Sequence, residues 1–184
     1  MKIISAEYNA FFEEKRDGFK PDVYSRKLKE YDSYYLNSKG VNPDTIMYTV
    51  YNDPRNTETD GGLLSGLTIL MPVTVNGECA FTKGHFHKDQ NCEEVYECLK
   101  GEGLLMLMDH DGNTWCEEVK PMSIHHIHGD LAHRIINTGD ELLEVYAVWP
   151  VQAGHDYDSI LKQPFGYRVM KHDGKIEVIK NEQL

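Results

Sequence analysis

From Thr45 onward the chain is a succession of short apolar runs, none of which has room to become a long helix. Eight runs of five to nine residues stand out: TIMYTVY, LLSGLTILM, CAFTKGHFH, EVYECL, LLMLM, TWCEEV, HRIIN and LLEVYAVW. They are rich in Val, Ile, Leu and Tyr, residues that suit a pleated, half-buried surface. Between them stand Asn76-Gly77, Gly101-Glu102-Gly103, Asp111-Gly112, Thr138-Gly139-Asp140 and Asp173-Gly174, which readily supply the positive φ that tight hairpins demand. Many short antiparallel strands predict an all-β sandwich or barrel, since closing a sheet removes its exposed edges. Residues 1–44 differ. They are mixed and polar, with a helical window at residues 21–31 and turn signals at Asp17-Gly18 and Lys39-Gly40. They are expected to form a short mixed arm packed on a barrel of residues 45–184, one domain overall, as 184 residues suggest.

Charge narrows the partners. The formal net charge of −11 opposes a nucleic-acid groove or an anionic membrane surface. A small phosphorylated molecule stays compatible, because a few backbone N–H groups and one cation make a local anion site. Cys79, Cys92, Cys98 and Cys116 show no CxxC spacing, and a chain of this length needs no disulfide staples, so reduced thiols are expected. The opening MKIISAEYNAFFEEKR reaches Glu7 after few apolar residues, without the hydrophobic segment of a secretory signal. The longest uncharged stretch, residues 61–77, holds Pro72 and four glycines and reads as strands and a turn, since a spanning helix wants about 20 apolar residues. A cytoplasmic protein is expected.

The chemistry concentrates in Thr82-Lys83-Gly84-His85-Phe86-His87. On a strand, His85 and His87 project from one face and make a ready metal chelate. Glu94 and Tyr96 share a face by the same rule, and the six residues after His87 are expected to form a hairpin that returns Glu94 beside the imidazoles. His133, on an apolar strand, needs a partner for its buried nitrogens. A second pair, His126 and His128, lacks a carboxylate at hairpin distance on its C-terminal side and adjoins the Gly129-Asp130 turn, so a structural or surface role is expected there. Taken singly, Tyr48, Tyr51 and Tyr96 read as barrel packing. Tyr157 follows Gly154-His155-Asp156 at what should be the barrel mouth, where covering a substrate and packing are equally good readings.

The spacing HxH, six residues, Glu94, six residues, Gly101, with His133-x-x-x-Asn137 downstream, resembles the two motifs of the cupin superfamily. The blocks FTKGHFH, EVY, LKGEG, AHRIIN and AGHDY, in that order, resemble the cupin-type glucose-6-phosphate isomerases of archaea and some bacteria over most of the chain. This resemblance implies a double-stranded β-helix, or jelly-roll barrel, and a homodimer. It implies a divalent metal held by His85, His87, Glu94 and His133. Iron(II) is the family's usual metal, while the donor set also suits manganese, nickel or zinc. It implies catalytic roles for Glu94, Tyr96 and His155, and a sugar-phosphate pocket lined by Tyr48, Thr68, Thr82, Lys83, Gly84 and Tyr157. The sequence departs from the pattern at Met122, where glycine is usual, at His128, where proline is usual, and at Trp149, tyrosine in some relatives. Two rival readings share the donor set: another metal-dependent cupin enzyme such as a dioxygenase, and a non-enzymatic sugar-binding cupin.

Overall fold

A computed structural model describes residues 1–13, 18–54 and 59–182. Its elements run β1 (Asp22–Lys27), β2 (Ile46–Asn52), β3 (Leu63–Leu70), β4 (Thr74–Val75), β5 (Glu78–Cys79), β6 (Glu94–Lys100), β7 (Gly103–Met108), β8 (Thr114–Val119), β9 (Ile124–Ile127), β10 (Ala132–Asn137), β11 (Leu143–Pro150), α1 (Asp158–Lys162), β12 (Tyr167–His172) and β13 (Lys175–Lys180). One sheet has the order β1-β2-β3-β11-β6-β9 and a second has β10-β7-β8. Residues 81 and 85 extend the second sheet through antiparallel bridges, Phe81 to Ile136 and His85 to His133. Counting residues 80–87 as a broken strand, β3, that strand, β6 and β7 alternate between the first and second sheets, β8 stays beside β7 in the second, and β9, β10 and β11 alternate again, as in a jelly roll. The fold is therefore the expected all-β jelly roll.

Turn chemistry works as the residues suggest at two hairpins. Asn76 and Gly77 both have positive φ, 49° and 90°, between β4 and β5, as do Asp173 and Gly174, 50° and 75°, between β12 and β13. That pair of conformations matches the right-handed twist of the flanking strands. The β12–β13 hairpin joins β5 and β4 in a third, four-stranded sheet.

Three expectations need correction. The window at residues 21–31 is not a helix. It forms β1 and then short 3₁₀ turns at Leu28–Glu30 and Asp32–Tyr34, because β1 pairs antiparallel with the open edge of β2, Tyr24 opposite Val50. Tertiary pairing overrides a weak local preference there. The run CAFTKGHFH is not one strand, since β5 ends at Cys79 in the third sheet and Gly84, at φ 75°, interrupts the remainder. Residues 88–93 do not close a hairpin either. Both edges of β6 are taken, by β11 and β9, so this loop crosses from one sheet to the other. Of the Asp17-Gly18 turn, Asp17 lies outside the described residues, and Gly18 has φ 92°.

β10 is buried along its whole length, which explains why HRIIN shows no polar alternation: both of its faces are covered. One face turns His133 inward. On the other, Arg134 sits between the rings of Phe81 and Phe165, 4.5 and 4.2 Å from their centroids. Leu70, Leu105, Leu107, Ile127, Ile135, Leu143 and Val145 fill the interior.

Candidate active site

Four side chains meet at the inner end of a cavity. His85 stands on the broken strand, His87 two residues on, Glu94 at the first position of β6 and His133 on β10. One donor atom from each lies within 4.8 Å of all the others. Glu94 Oε2 is 3.2 Å from His87 Nε2 and 3.0 Å from His133 Nε2. His85 Nε2 and His133 Nε2 are buried without a well-aligned hydrogen-bond partner, the Glu94 contact of His133 being close but poorly directed. Buried imidazole nitrogens left this way are costly. A cation among them would take up those lone pairs, so these residues fit a metal. The outer nitrogens are held as such a role requires: His87 Nδ1 is 2.6 Å from the Cys92 carbonyl and His133 Nδ1 is 3.2 Å from the Leu131 carbonyl. With Nδ1–H donating outward, Nε2 keeps its lone pair for the centre.

Protonation favours ligation at two positions. Burial, with neighbouring imidazoles adding to it, pushes His85 well below the ordinary histidine range. Burial would raise Glu94, yet the adjoining His133 and His87 rings outweigh it and hold the carboxyl below its usual value. Glu94 is thus a carboxylate at neutral pH. His87 moves the other way: burial lowers it, but Glu94 and the Cys92 carbonyl raise it more. Beside the cluster, burial lowers His155 and keeps its ring neutral. Burial, then the charge on Glu94, raises Tyr96 well above the ordinary phenol range, so its hydroxyl stays a donor.

The cavity above the cluster measures about 130 Å³. Tyr48, Thr68, Thr82, Lys83, Gly84 and Tyr157 all line it, as do Tyr96 and His155. The structure therefore gathers every residue singled out as a substrate or catalytic candidate. His87 alone of the metal set is set back from the cavity wall. The His155 ring lies 4.4 Å from that of His85 and stacks on Tyr157 at 5.8 Å. Lys83 points its ammonium over the Tyr34 ring, 5.8 Å from the centroid.

A family model described as glucose-6-phosphate isomerase matches residues 26–183. The chain belongs to that family. A glucose-6-phosphate isomerase of Thermococcus onnurineus is 34% identical over 160 residues, covering 85% of this chain and 84% of that one. One from Pyrococcus abyssi is 35% identical over 161 residues, covering 85% of each. Among solved structures, oxalate oxidase in complex with the substrate analogue glycolate has a TM-score of 0.46 at 14% identity, over 76% of this chain and 56% of that chain. A likeness at that level bears on neither fold nor activity.

Within this glucose-6-phosphate isomerase family member, sequence reasoning missed part of the lining. Tyr24, Asn52 and Gly66 also face the cavity. Tyr24 lies on β1, in the segment expected to be helical, so no local signal marked it. Gly66 has its reason only in the fold: a Cβ there would meet Asn52 Oδ1 at 2.9 Å and Trp149 at 3.1 Å. Trp149, noted as a departure, is a wall residue. Met122 explains the glycine usual at its position, since its φ is 71°. His126 and His128 lie outside, both mostly exposed, with Glu93 bridging them at 2.7 and 3.1 Å. The carboxylate comes from the N-terminal side, through the pairing of β6 with β9.

Proposed function

We propose that this chain is a metal-dependent aldose–ketose isomerase that interconverts glucose 6-phosphate and fructose 6-phosphate. The observation that carries the reading is the convergence of His85, His87, Glu94 and His133 at the closed end of a cavity sized for a small molecule. These four would hold a divalent cation, which when bound supplies the Lewis acidity that polarises the two oxygens exchanging carbonyl and hydroxyl character. Three imidazoles and one carboxylate suit iron(II), manganese, nickel or zinc alike, and we assign iron(II) because the family resemblance implies it.

The chain's own groups divide the remaining work. Glu94, ionised and in reach of the cavity, takes the hydrogen from one carbon as a proton and returns it to the next. Tyr96 keeps its proton and donates to a substrate oxygen. His155, neutral, accepts and returns the hydroxyl proton. Thr68, Thr82 and the Gly84 amide, with the charge of Lys83, hold the phosphate, and Tyr48 and Tyr157 close over the sugar. Positioning of this kind removes much of the entropic barrier. Residues 1–44 act as an arm on the barrel of residues 45–184, with β1 adding Tyr24 to the wall. The same reading makes the protein a cytoplasmic homodimer in glycolysis and gluconeogenesis, without nucleic-acid or membrane partners.

The test is a coupled assay for fructose 6-phosphate conversion on metal-loaded protein, with and without chelator. Turnover that chelation abolishes and added metal restores is expected. No turnover in any metal-loaded sample, or oxygen uptake in its place, rejects the reading. Running the reaction in heavy water checks the role of Glu94: deuterium at the receiving carbon is expected, and complete retention of the substrate hydrogen favours a direct hydride shift over exchange through Glu94.

A further inference from the structure

A second cavity, of about 120 Å³, lies behind β10, on the face away from the metal donors. It is far larger than the roughly 10–15 Å³ that one water needs in the same measure. Its walls include Ser33, Tyr34, Arg134, Tyr167, Arg168 and Asn181. Two guanidinium groups and no carboxylate line it, among the described residues, in a chain whose net charge is −11.

Arg134 is the decisive group. It is only 8% exposed, lies between the Phe81 and Phe165 rings, and donates from Nη2 to the Lys83 carbonyl at 2.8 Å. Its Nε is buried without a hydrogen-bond partner among the described residues. Glu78, a carboxylate buried nearby, is engaged by Arg168 at 2.9 Å. A carbonyl and two ring faces soften the burial of a guanidinium but do not neutralise it. Hydroxyls of Ser33, Tyr34 and Tyr167 add donors of the kind that recognise phosphate oxygens.

We propose that this cavity is a binding site for a phosphate-type oxyanion, separate from the metal-lined pocket. Arg134 stands on the wall between the two cavities. It follows His133 in β10, so alternation turns the two side chains to opposite faces, and its bond to Lys83 fixes the loop that lines the first pocket.

The experiment is thermal melting of metal-loaded protein in sodium phosphate or sulfate, against sodium chloride of matched ionic strength. A saturating mixture of glucose 6-phosphate and fructose 6-phosphate is present throughout to fill the first pocket. The expected result is a saturable rise in Tm with either oxyanion and none with chloride. Ser33→Glu places a carboxylate at the exposed mouth of the cavity. It should fold normally, keep wild-type turnover in chloride and lose the rise. Because Ser33 lies on this cavity alone, the variant tests the site whether or not the isomerase reading holds. Arg134→Gln should lose the rise too, but Ser33→Glu decides the matter if that variant fails to fold. Raising the hexose phosphates far above saturation of turnover identifies the source: a phosphate effect that disappears assigns the site to the phosphate group of a sugar, and one that persists assigns it to free phosphate. Absence of any rise beyond chloride, or an equal rise in Ser33→Glu, overturns the proposal.

Discussion

Gly129 lies outside the cavity, yet the proposed metal site should respond to a change there. A Cβ at this position would stand 2.3 Å from the Gln90 carbonyl oxygen and 2.4 Å from that of Cys92, where ordinary contact begins at 3.4 Å. Both obstacles are backbone, so in Gly129→Ala each must retreat by about 1 Å. The Cys92 carbonyl is the acceptor for His87 Nδ1 at 2.6 Å. Retreat takes that distance to about 3.6 Å, beyond a hydrogen bond, and frees the imidazole to rotate. Loss of such an outer-shell partner typically weakens metal binding by about 10–100-fold, or about 1.4–2.8 kcal/mol. Competition with a metal-sensitive chelating dye should show this weakening, and turnover at limiting metal should fall with it. Excess metal should restore most activity, since His85, Glu94 and His133 keep their places. Gly139→Ala is the control, because its nearest obstacle is at 3.3 Å. An affinity within threefold of wild type in a folded Gly129→Ala protein would refute the reasoning.

Glu94→Gln keeps the shape of the side chain but removes its charge and its capacity to take a proton. Turnover should fall by about 10²–10⁴-fold in the coupled assay with saturating metal, and a loss below tenfold would exclude a catalytic role. Metal affinity should weaken as pH falls through the raised His87 pKa. The raised pKa of His87 lets a proton compete for its lone pair, whereas His85 stays neutral and adds no slope. Below the His87 pKa, affinity should fall by about tenfold per pH unit, one proton being released per metal bound, and a flat profile counts against His87 as a ligand. Met122→Gly should stabilise the protein. Relief of a left-handed residue contributes about 1–2 kcal/mol, and the extra freedom of glycine in the unfolded chain offsets about 0.4–1 kcal/mol of it. The net gain of about 1 kcal/mol appears as a Tm about 2–4 °C higher. Leu105→Ala, at a fully buried core position, should cost about 2–5 kcal/mol, read by denaturant unfolding.

Local spacing carried much of this site. His85 and His87 are two residues apart, and the converging rings follow from that interval even though Gly84 breaks the strand. Asn76-Gly77 and Asp173-Gly174 specified their turns through conformations other residues resist. Glu94 was found for a partly mistaken reason, because its loop crosses between sheets instead of closing a hairpin. The separation along the chain was informative; the path was not.

Hydrophobic runs and turn glycines determined an all-β chain, since strand formation and tight reversal depend on a few neighbouring residues. Only the tertiary structure decided that β1 joins the sheet and brings Tyr24 to the pocket, and that Cys92 and Gly129 meet behind His87. It also decided that β10 has His133 on one side and a buried, incompletely satisfied Arg134 on the other. Those outcomes depend on which strand edges remain open and which faces become covered. Both are set by contacts between segments tens of residues apart, and no local pattern encodes them.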